Sequence, residues 1–233
     1  MVFAAALMAW RGRAQAEAGP VGLFTTLPIL WNEAPDVAGM LRTDQPPHWA
    51  RSALAGKDRI IALDTLSAPG GASPLRPLHR LVIAQPRPLS PDENVALDTW
   101  VRKGGRVLLF ADPALTEESD FAIGDPRRPQ AVVLLSPILR RWGLDLQFDE
   151  RQAFGGRNVA LGKVAVPVNL PGRFALLPGA ACTLDGEGLV ATCQVGRGRV
   201  TAVADADVLA HEDADGERAT ALAALLDRAF ATP

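Results

Sequence analysis

The chain is poor in cysteine, histidine and lysine, and it carries little net charge. Its 233 residues include two cysteines, three histidines and only three lysines beside 21 arginines. A formal net charge of −2 gives no broad positive field that would bind a phosphate backbone, so nucleic acid is not an expected partner. The scattered arginines indicate the codon bias of a GC-rich bacterial genome and imply no mechanism.

Long apolar runs are also missing, apart from a short one at the amino-terminal end. Residues 2–10 are apolar, and Ala14-Gln15-Ala16 follows with the small-x-small pattern of a signal-peptidase site. The run is too short to span a bilayer, and no positive charge precedes it, which leaves open a start further upstream. We expect residues 1–19 to be an export signal or anchor, with a mobile amphipathic start as the alternative.

Short apolar runs that end in turn residues alternate with helical patterns over most of the chain, which is typical of βαβ units around a parallel sheet. The runs are continuous rather than alternating, and strands with this character are covered on both faces. We therefore predict an α/β fold with helices on both faces of a mostly parallel sheet. The predicted strands are residues 21–24, 59–63, 80–84, 106–111 and 198–204.

Three helices are predicted around this sheet. The best begins at Ser90, an N-cap followed by proline and two acidic residues, and ends before Gly104. A second covers about residues 130–142, where Pro137 indicates a kink or two short pieces. The last one closes the domain at residues 217–230.

Residues 145–195 differ in character, with short segments and frequent glycine and proline. We predict a small antiparallel β insertion here, within a single domain that spans residues 20–233. Cys182 and Cys193 flank a turn between two apolar runs, and a hairpin would bring them together. They form either a disulfide, as in an exported protein, or two buried thiols, as in a cytosolic one.

Candidate binding residues follow the predicted strands. Ligands of open α/β sheets bind at the carboxyl ends of the strands, and several carboxylates there could hold a metal or act as acid and base. The alternative is that these acids cap helices and brace turns. An exposed Trp beside Asn and Glu would suit stacking on a sugar ring, although Trp31 could equally be a core anchor. The candidates are Trp31, Asn32, Glu33, Asp112, Asp205 and Asp207.

The sequence lacks the usual signatures of a catalytic or cofactor site. The fourth predicted strand ends in Phe110-Ala111-Asp112-Pro113, which offers no nucleophile for a hydrolase elbow. His48, His79 and His211 are dispersed, no CxxC pattern is present, and no glycine-rich loop joins a strand to a helix. We therefore predict no catalytic residue, no metal and no cofactor.

Two stretches resemble a known family. Residues 89–113 contain a helix, a Gly-Gly pair, a strand and then Asp112-Pro113, and residues 195–209 contain Gly-Arg-Gly-Arg-Val followed by Asp205-Ala206-Asp207. Together they resemble the core of GldG-like auxiliary domains of ABC transport systems, which are similar to class I glutamine amidotransferases without the nucleophile. The resemblance implies a flavodoxin-like sheet and a non-catalytic role near a membrane, although this chain lacks the long transmembrane segments of transporter-linked members.

These observations give two functional hypotheses. The first is a non-catalytic accessory domain of an ABC-type transport or envelope system, which is periplasmic or anchored in the inner membrane facing the periplasm. It would bind membrane-associated transport or envelope proteins, or a small polar ligand, at the carboxyl edge of the sheet, and touch the membrane only through its amino-terminal segment. The alternative is a carboxylate- or metal-dependent hydrolase that uses Asp112 with Asp205 or Asp207.

Overall fold

The computed structural model describes residues 19–231, apart from residues 32, 35–38, 40–45, 57, 69, 211–212 and 214. Most of the signal-like segment, Asn32 and His211 therefore lie outside the described residues. Within them the chain forms eleven strands and four α-helices. The strands are β1 (Val21–Thr25), β2 (Ile60–Ala62), β3 (Arg80–Ala84), β4 (Arg106–Phe110), β5 (Leu144–Gln147), β6 (Gly156–Leu161), β7 (Val164–Asn169), β8 (Arg173–Leu176), β9 (Cys182–Asp185), β10 (Val190–Val195) and β11 (Gly198–Val203). The helices are α1 (Trp49–Ala55), α2 (Pro91–Arg102), α3 (Ser136–Arg141) and α4 (Glu217–Phe230).

The main sheet has seven strands in the order β2-β1-β3-β4-β11-β10-β9. The first five are parallel, and β10 and β9 add to β11 in antiparallel pairing. The parallel part has the flavodoxin-like order 2-1-3-4-5. The predicted α/β fold is confirmed, and its five predicted strands are the five parallel ones.

Burial along the strands follows their place in the sheet. Leu81 in β3 and Val107 in β4 are completely buried because helices cover both faces of the centre. In β2, by contrast, Ile60 and Ile61 are only half buried, since this strand forms an edge. The prediction that every apolar run is covered on both faces is therefore wrong for β2.

The four helices pack in two pairs, α1 against α4 and α2 against α3. Helix α2 begins as predicted at Ser90, whose hydroxyl accepts from the Glu93 amide while the Glu93 carboxylate accepts from the Ser90 amide, a capping box. Helix α4 has the predicted bounds. No helix in the described part of the chain is long and apolar enough to cross a membrane.

The predicted helix over residues 130–142 is wrong in its first half. Helix α3 begins only at Ser136, and Pro137 lies in its first turn, where proline is well tolerated. The residues before it are held by the loop that leaves β4. The amide of Val133 donates to the Asp112 carbonyl at 3.0 Å, and the Ala131 carbonyl accepts from Leu115 at 2.9 Å. These long-range bonds replace the local bonds that a helix would need.

The β-rich segment divides between three sheets. Strands β5 and β8 form one small antiparallel sheet, and β6 and β7 form another. Strands β9 and β10 instead extend the main sheet, and helix α4 packs on β7. The predicted antiparallel insertion is thus present, with its last two strands continuous with the central sheet.

Candidate functional site

The connections of the parallel sheet change direction between β1 and β3. From β1 the chain crosses to β2 on one side, whereas from β3 it crosses to β4 on the other. The loops that leave the carboxyl ends of these two neighbouring strands therefore separate and leave an opening. In open α/β sheets, ligands bind at this switch point.

A cavity of about 350 Å³ lies at this opening, and we call it the switch-point crevice. Trp31 is 40 % exposed, so its ring forms a wall of the crevice rather than part of the core. The volume falls within the range of small-molecule sites, roughly 300–1,000 Å³. The lining residues are Thr25, Thr26, Trp31, Phe121, Pro126 and Arg127.

The two threonines fix the floor of the crevice. The hydroxyl of Thr25 accepts from the Leu27 amide at 2.9 Å and so turns the chain as it leaves β1. The hydroxyl of Thr26 donates to the Gln85 carbonyl and accepts from the Gln130 amide at 3.1 Å. These bonds join the loops after β1 and β3 to the segment before α3.

Phe121 and Arg127 form another wall of the crevice. The guanidinium carbon of Arg127 lies 4.2 Å from the centroid of the Phe121 ring, a cation–π contact. Arg127 also pairs with Asp125 at 2.7 Å, and its hydrogen bonds lower the pKa of Asp125 to about 2. The crevice therefore presents the exposed Trp31 ring and the Arg127–Asp125 charge pair, while the Phe121 ring is buried against the Arg127 guanidinium.

This wall belongs to residues 111–135, a connection without a helix or strand between β4 and α3. Loops longer than about 12–15 residues inside compact domains are usually functional or disordered. This one is anchored at several points, including a bond from the Gln85 amide group to the Gln130 carbonyl at 2.7 Å. Its length is the sequence signal that could have identified Phe121 and Arg127 as candidates.

In many hydrolases the nucleophile lies at a strained turn directly after a strand. In this protein a strained turn follows β3 rather than β4. Gln85 has φ of +41°, in the left-handed region that residues other than glycine rarely adopt, and it is completely buried. Its amide donates to the Phe110 carbonyl at 3.0 Å, which continues the pairing of β3 with β4. An amide side chain at this turn supplies hydrogen bonds but no nucleophile.

Asp112 and Asp205 follow the neighbouring strands β4 and β11, and both are only 1 % exposed. Asp112 accepts from the amides of Ala114 at 2.8 Å and Ala206 at 3.1 Å, one with each carboxylate oxygen. Asp205 likewise accepts from the amides of Asp207 at 2.6 Å and Asn169 at 3.1 Å. The two carboxylates therefore hold together the loops after β4, β7 and β11.

Burial changes the acidity of this pair. Burial raises the pKa of Asp112 to about 6, against the opposing effect of its two backbone hydrogen bonds. Burial, together with the negative charge of Asp112, raises the pKa of Asp205 well above its usual value. Perturbed carboxyl groups of this kind are common in active sites, but structural pairs show them too.

The other predicted site residues have different surroundings. Asp207 pairs with Arg218 at 2.7 Å beside the start of α4. One oxygen of the Glu33 carboxylate accepts from the Asp120 amide at 2.9 Å, and the other is buried without a hydrogen-bond partner among the described residues. The structure thus places the three aspartates near the ends of β4 and β11, and it places Trp31 in the separate switch-point crevice. Asn32 lies outside the described residues.

Two further chemical features concern metal ions and thiols. The described residues contain no group of three or more His, Cys, Asp or Glu side chains that could hold a metal ion. Cys182 and Cys193 face each other on β9 and β10 and form a disulfide. Of the two alternatives for this pair, the structure has the disulfide, and a disulfide of this kind indicates a non-reducing compartment.

Comparisons with known proteins bear on the fold alone. No protein-family model and no curated protein matches the chain. Among solved structures, Gan42B, a GH42 β-galactosidase from G. stearothermophilus, matches 91 % of this chain and 30 % of its own with 13 % identity and a TM-score of 0.50. A β-galactosidase from Bacillus circulans sp. alkalophilus matches 91 % of this chain and 31 % of its own, with 12 % identity and a TM-score of 0.48.

A third neighbour has a size closer to that of this chain. It is a ThuA-like protein from Parabacteroides merdae, which matches 92 % of this chain and 91 % of its own with 11 % identity and a TM-score of 0.45. This chain spans about a third of the length of the β-galactosidases. At such low identity the likeness to Gan42B concerns the fold alone.

Proposed function

We propose that this chain is a non-catalytic accessory domain that binds a small polar ligand of the saccharide class in the switch-point crevice. The observation that carries this proposal is the position and lining of that crevice. It opens at the switch point of a flavodoxin-like sheet, and Trp31 is exposed on its wall.

The chemistry of the walls fits a sugar ring. The exposed ring of Trp31 can pack against the apolar C–H face of a sugar, as aromatic rings do in sites that combine an apolar body with a polar rim. The guanidinium of Arg127 is a hydrogen-bond donor at the same wall, held by Asp125 and by the Phe121 ring. A saccharide needs this combination of an apolar face and a few fixed polar groups.

The hydrolase alternative depends on Asp112 with Asp205 or Asp207. The raised pKa values of Asp112 and Asp205 are the property that favours it. A general acid or base must, however, reach a substrate, and Asp112 and Asp205 are 1 % exposed and do not line the crevice. Every oxygen of these two carboxylates already accepts a backbone amide, so we assign them to loop bracing.

The cellular setting is proposed from the sequence together with the disulfide. The resemblance of residues 89–113 and 195–209 to GldG-like auxiliary domains supports a role in an ABC-type transport or envelope system. The signal-like residues 1–19 and the Cys182–Cys193 bridge support a place in the periplasm or on the periplasmic side of the inner membrane. The partner would then be a membrane-associated transport or envelope protein.

The proposal is tested by thermal denaturation of the purified protein against a panel of mono- and oligosaccharides and cell-wall fragments. A ligand that binds only the folded state raises the midpoint by mass action. We expect at least one saccharide to raise the melting midpoint of the natural protein. The control is Phe154→Ala, which removes an exposed aromatic ring that does not line the crevice, and its midpoint should rise equally. The shift should disappear in Trp31→Ala, and equal shifts in both variants would contradict the proposal.

A further inference from the structure

A second cavity lies at the opposite end of the sheet, where β3 and β4 begin. Its volume is about 540 Å³, and it is bounded by the turn before β3 and by the carboxyl-terminal end of α2. We call it the basic cavity. Its polar and aromatic lining residues are Ser73, Arg76, His79, Thr99, Trp100 and Lys103.

The ring of Trp100 forms a fixed wall of the basic cavity. Its indole nitrogen donates to the Leu78 carbonyl at 3.1 Å, which ties α2 to the turn before β3. A Cβ atom added at Gly105 would lie 2.3 Å from the ring, so only glycine leaves room for Trp100 here. The ring is half buried, and its cavity face is available to an apolar part of a ligand.

Two side chains, Arg76 and Lys103, give this cavity its positive charge, and the imidazole of His79 adds a ring N–H donor. Arg76, His79 and Lys103 are exposed at its rim, and the lining contains no Asp or Glu. None of the three side chains forms a hydrogen bond or ion pair with another described residue. Several arginines elsewhere are paired with a carboxylate, as Arg80 is with Asp58 and Arg218 with Asp207, both at 2.7 Å. Uncompensated cations in a concave site attract an anion.

The nearby helix end does not cancel this attraction. The carboxyl-terminal carbonyls of a helix repel anions when they are unpaired. Here the carbonyls of Thr99 and Trp100 accept from the Lys103 amide, each at 3.2 Å. The Val101 carbonyl accepts from Gly104 at 2.8 Å, so the last turn of α2 is closed by its own backbone.

We propose that the basic cavity binds a small phosphate monoester that carries an aromatic or other apolar ring. The phosphate dianion would accept hydrogen bonds from Arg76, Lys103 and His79. Hydrogen bonds to an ionised acceptor are stronger than those between neutral groups. The ring would stack on Trp100. This site is independent of the switch-point crevice and of the saccharide proposed there.

The test uses phenyl phosphate as the probe, with calorimetric titration of the full chain in low-salt and high-salt buffer. Phenol and inorganic phosphate separate the contributions of the ring and of the anion. We expect phenyl phosphate to bind more tightly than either, and more weakly at high salt because ions screen exposed charges. The double variant Arg76→Gln/Lys103→Gln should bind it at least about tenfold more weakly, a difference of about 1.4 kcal/mol.

The control is the double variant Arg157→Gln/Lys163→Gln, which removes the same charge from the β6–β7 hairpin. It should bind phenyl phosphate like the natural protein, and equal weakening in both double variants would mean non-specific attraction and overturn the proposal. Vesicles that contain phosphatidic acid provide the last comparison. Binding to these vesicles without any response to phenyl phosphate would also overturn a small-molecule site.

Discussion

The side chain of Gln85 forms two hydrogen bonds with the backbone of Asp112. Its carbonyl oxygen accepts from the Asp112 amide at 3.0 Å, and its amide nitrogen donates to the Asp112 carbonyl at 3.0 Å. The same nitrogen reaches the Gln130 carbonyl at 2.7 Å. One buried amide thus connects the end of β3 with both ends of the loop that carries Phe121 and Arg127.

Removal of the Gln85 hydrogen bonds should lower the stability of the protein. Gln85→Ala leaves the Asp112 amide without its acceptor and the Gln130 carbonyl without this donor, which costs about 1–3 kcal/mol of unfolding free energy. Urea denaturation followed by circular dichroism measures the loss. Gln194→Ala, at an exposed position, should change the unfolding free energy by no more than about 0.5 kcal/mol. Equal effects of the two substitutions would contradict the structural role of Gln85.

The buried Asp112 should make stability fall as pH rises. Its folded-state pKa of about 6 exceeds the usual value of 3.8, so the folded state binds more protons than the unfolded state between these values. The carboxyl group therefore favours folding below pH 3.8, and this advantage declines until about pH 6. The decline is at most about 1.4 kcal/mol for each pH unit. Asp205, whose pKa is also raised, adds an effect of the same sign.

The variant Asp112→Asn isolates this effect. The amide cannot accept from both Ala114 and Ala206, so the variant should be less stable than the natural protein at low pH. As pH rises through the window, the natural protein should lose stability relative to the variant. Urea titrations at a series of pH values measure the difference. A gap that stays constant across the window would refute the assignment of a raised pKa to Asp112.

The ion pair between Glu93 and Arg87 should show the opposite dependence on pH. Hydrogen bonds from Arg87 at 2.7 and 2.8 Å are the main cause that lowers the pKa of Glu93 to about 2 from its usual 4.5. The resulting stabilisation is complete above pH 4.5 and is lost as pH falls towards 2. Glu93→Gln should therefore cost about 1–3 kcal/mol at neutral pH and less in acid. A cost that does not shrink in acid would contradict this assignment.

The disulfide should stabilise the edge of the main sheet. Cys182 and Cys193 are separated by 11 residues in the chain, and closing a loop of this size contributes about 3 kcal/mol in the chain-entropy model. Cys182→Ala/Cys193→Ala should lower the urea midpoint, and dithiothreitol should lower it similarly in the natural protein. The double variant should not respond to dithiothreitol. A midpoint unaffected by both treatments would show that the bridge does not contribute to stability.

Features encoded locally could be predicted from the sequence. Strand β3 was predicted residue for residue because its apolar run has clear ends, and α2 because Ser90 and Glu93 form a capping box. The start of α3 was predicted wrongly. There the bond from Val133 to Asp112 decides the conformation, and no local pattern shows a partner so distant in the chain.

The site was predicted only in outline. The order of strands and turns placed Trp31 and Asp112 after strand ends, but burial decides what each can do, and burial depends on the whole fold. Trp31 is exposed on a crevice, whereas Asp112 is enclosed. Phe121 and Arg127 were missed because they lie in a loop whose path is set by contacts with Gln85 and Thr26.

The central claim is that ligands bind in the switch-point crevice, whereas the buried carboxylates of Asp112 and Asp205 only hold loops of the sheet edge in place. Calorimetric titration of the saccharide found in the thermal screen tests it most directly, with Trp31→Ala, Asp112→Asn and Phe154→Ala compared under conditions where circular dichroism shows each variant to be folded. We predict that Trp31→Ala weakens binding at least about tenfold, or about 1.4 kcal/mol, while the other two variants bind normally. Loss of binding in Asp112→Asn with full binding in Trp31→Ala would contradict the account and favour a carboxylate site.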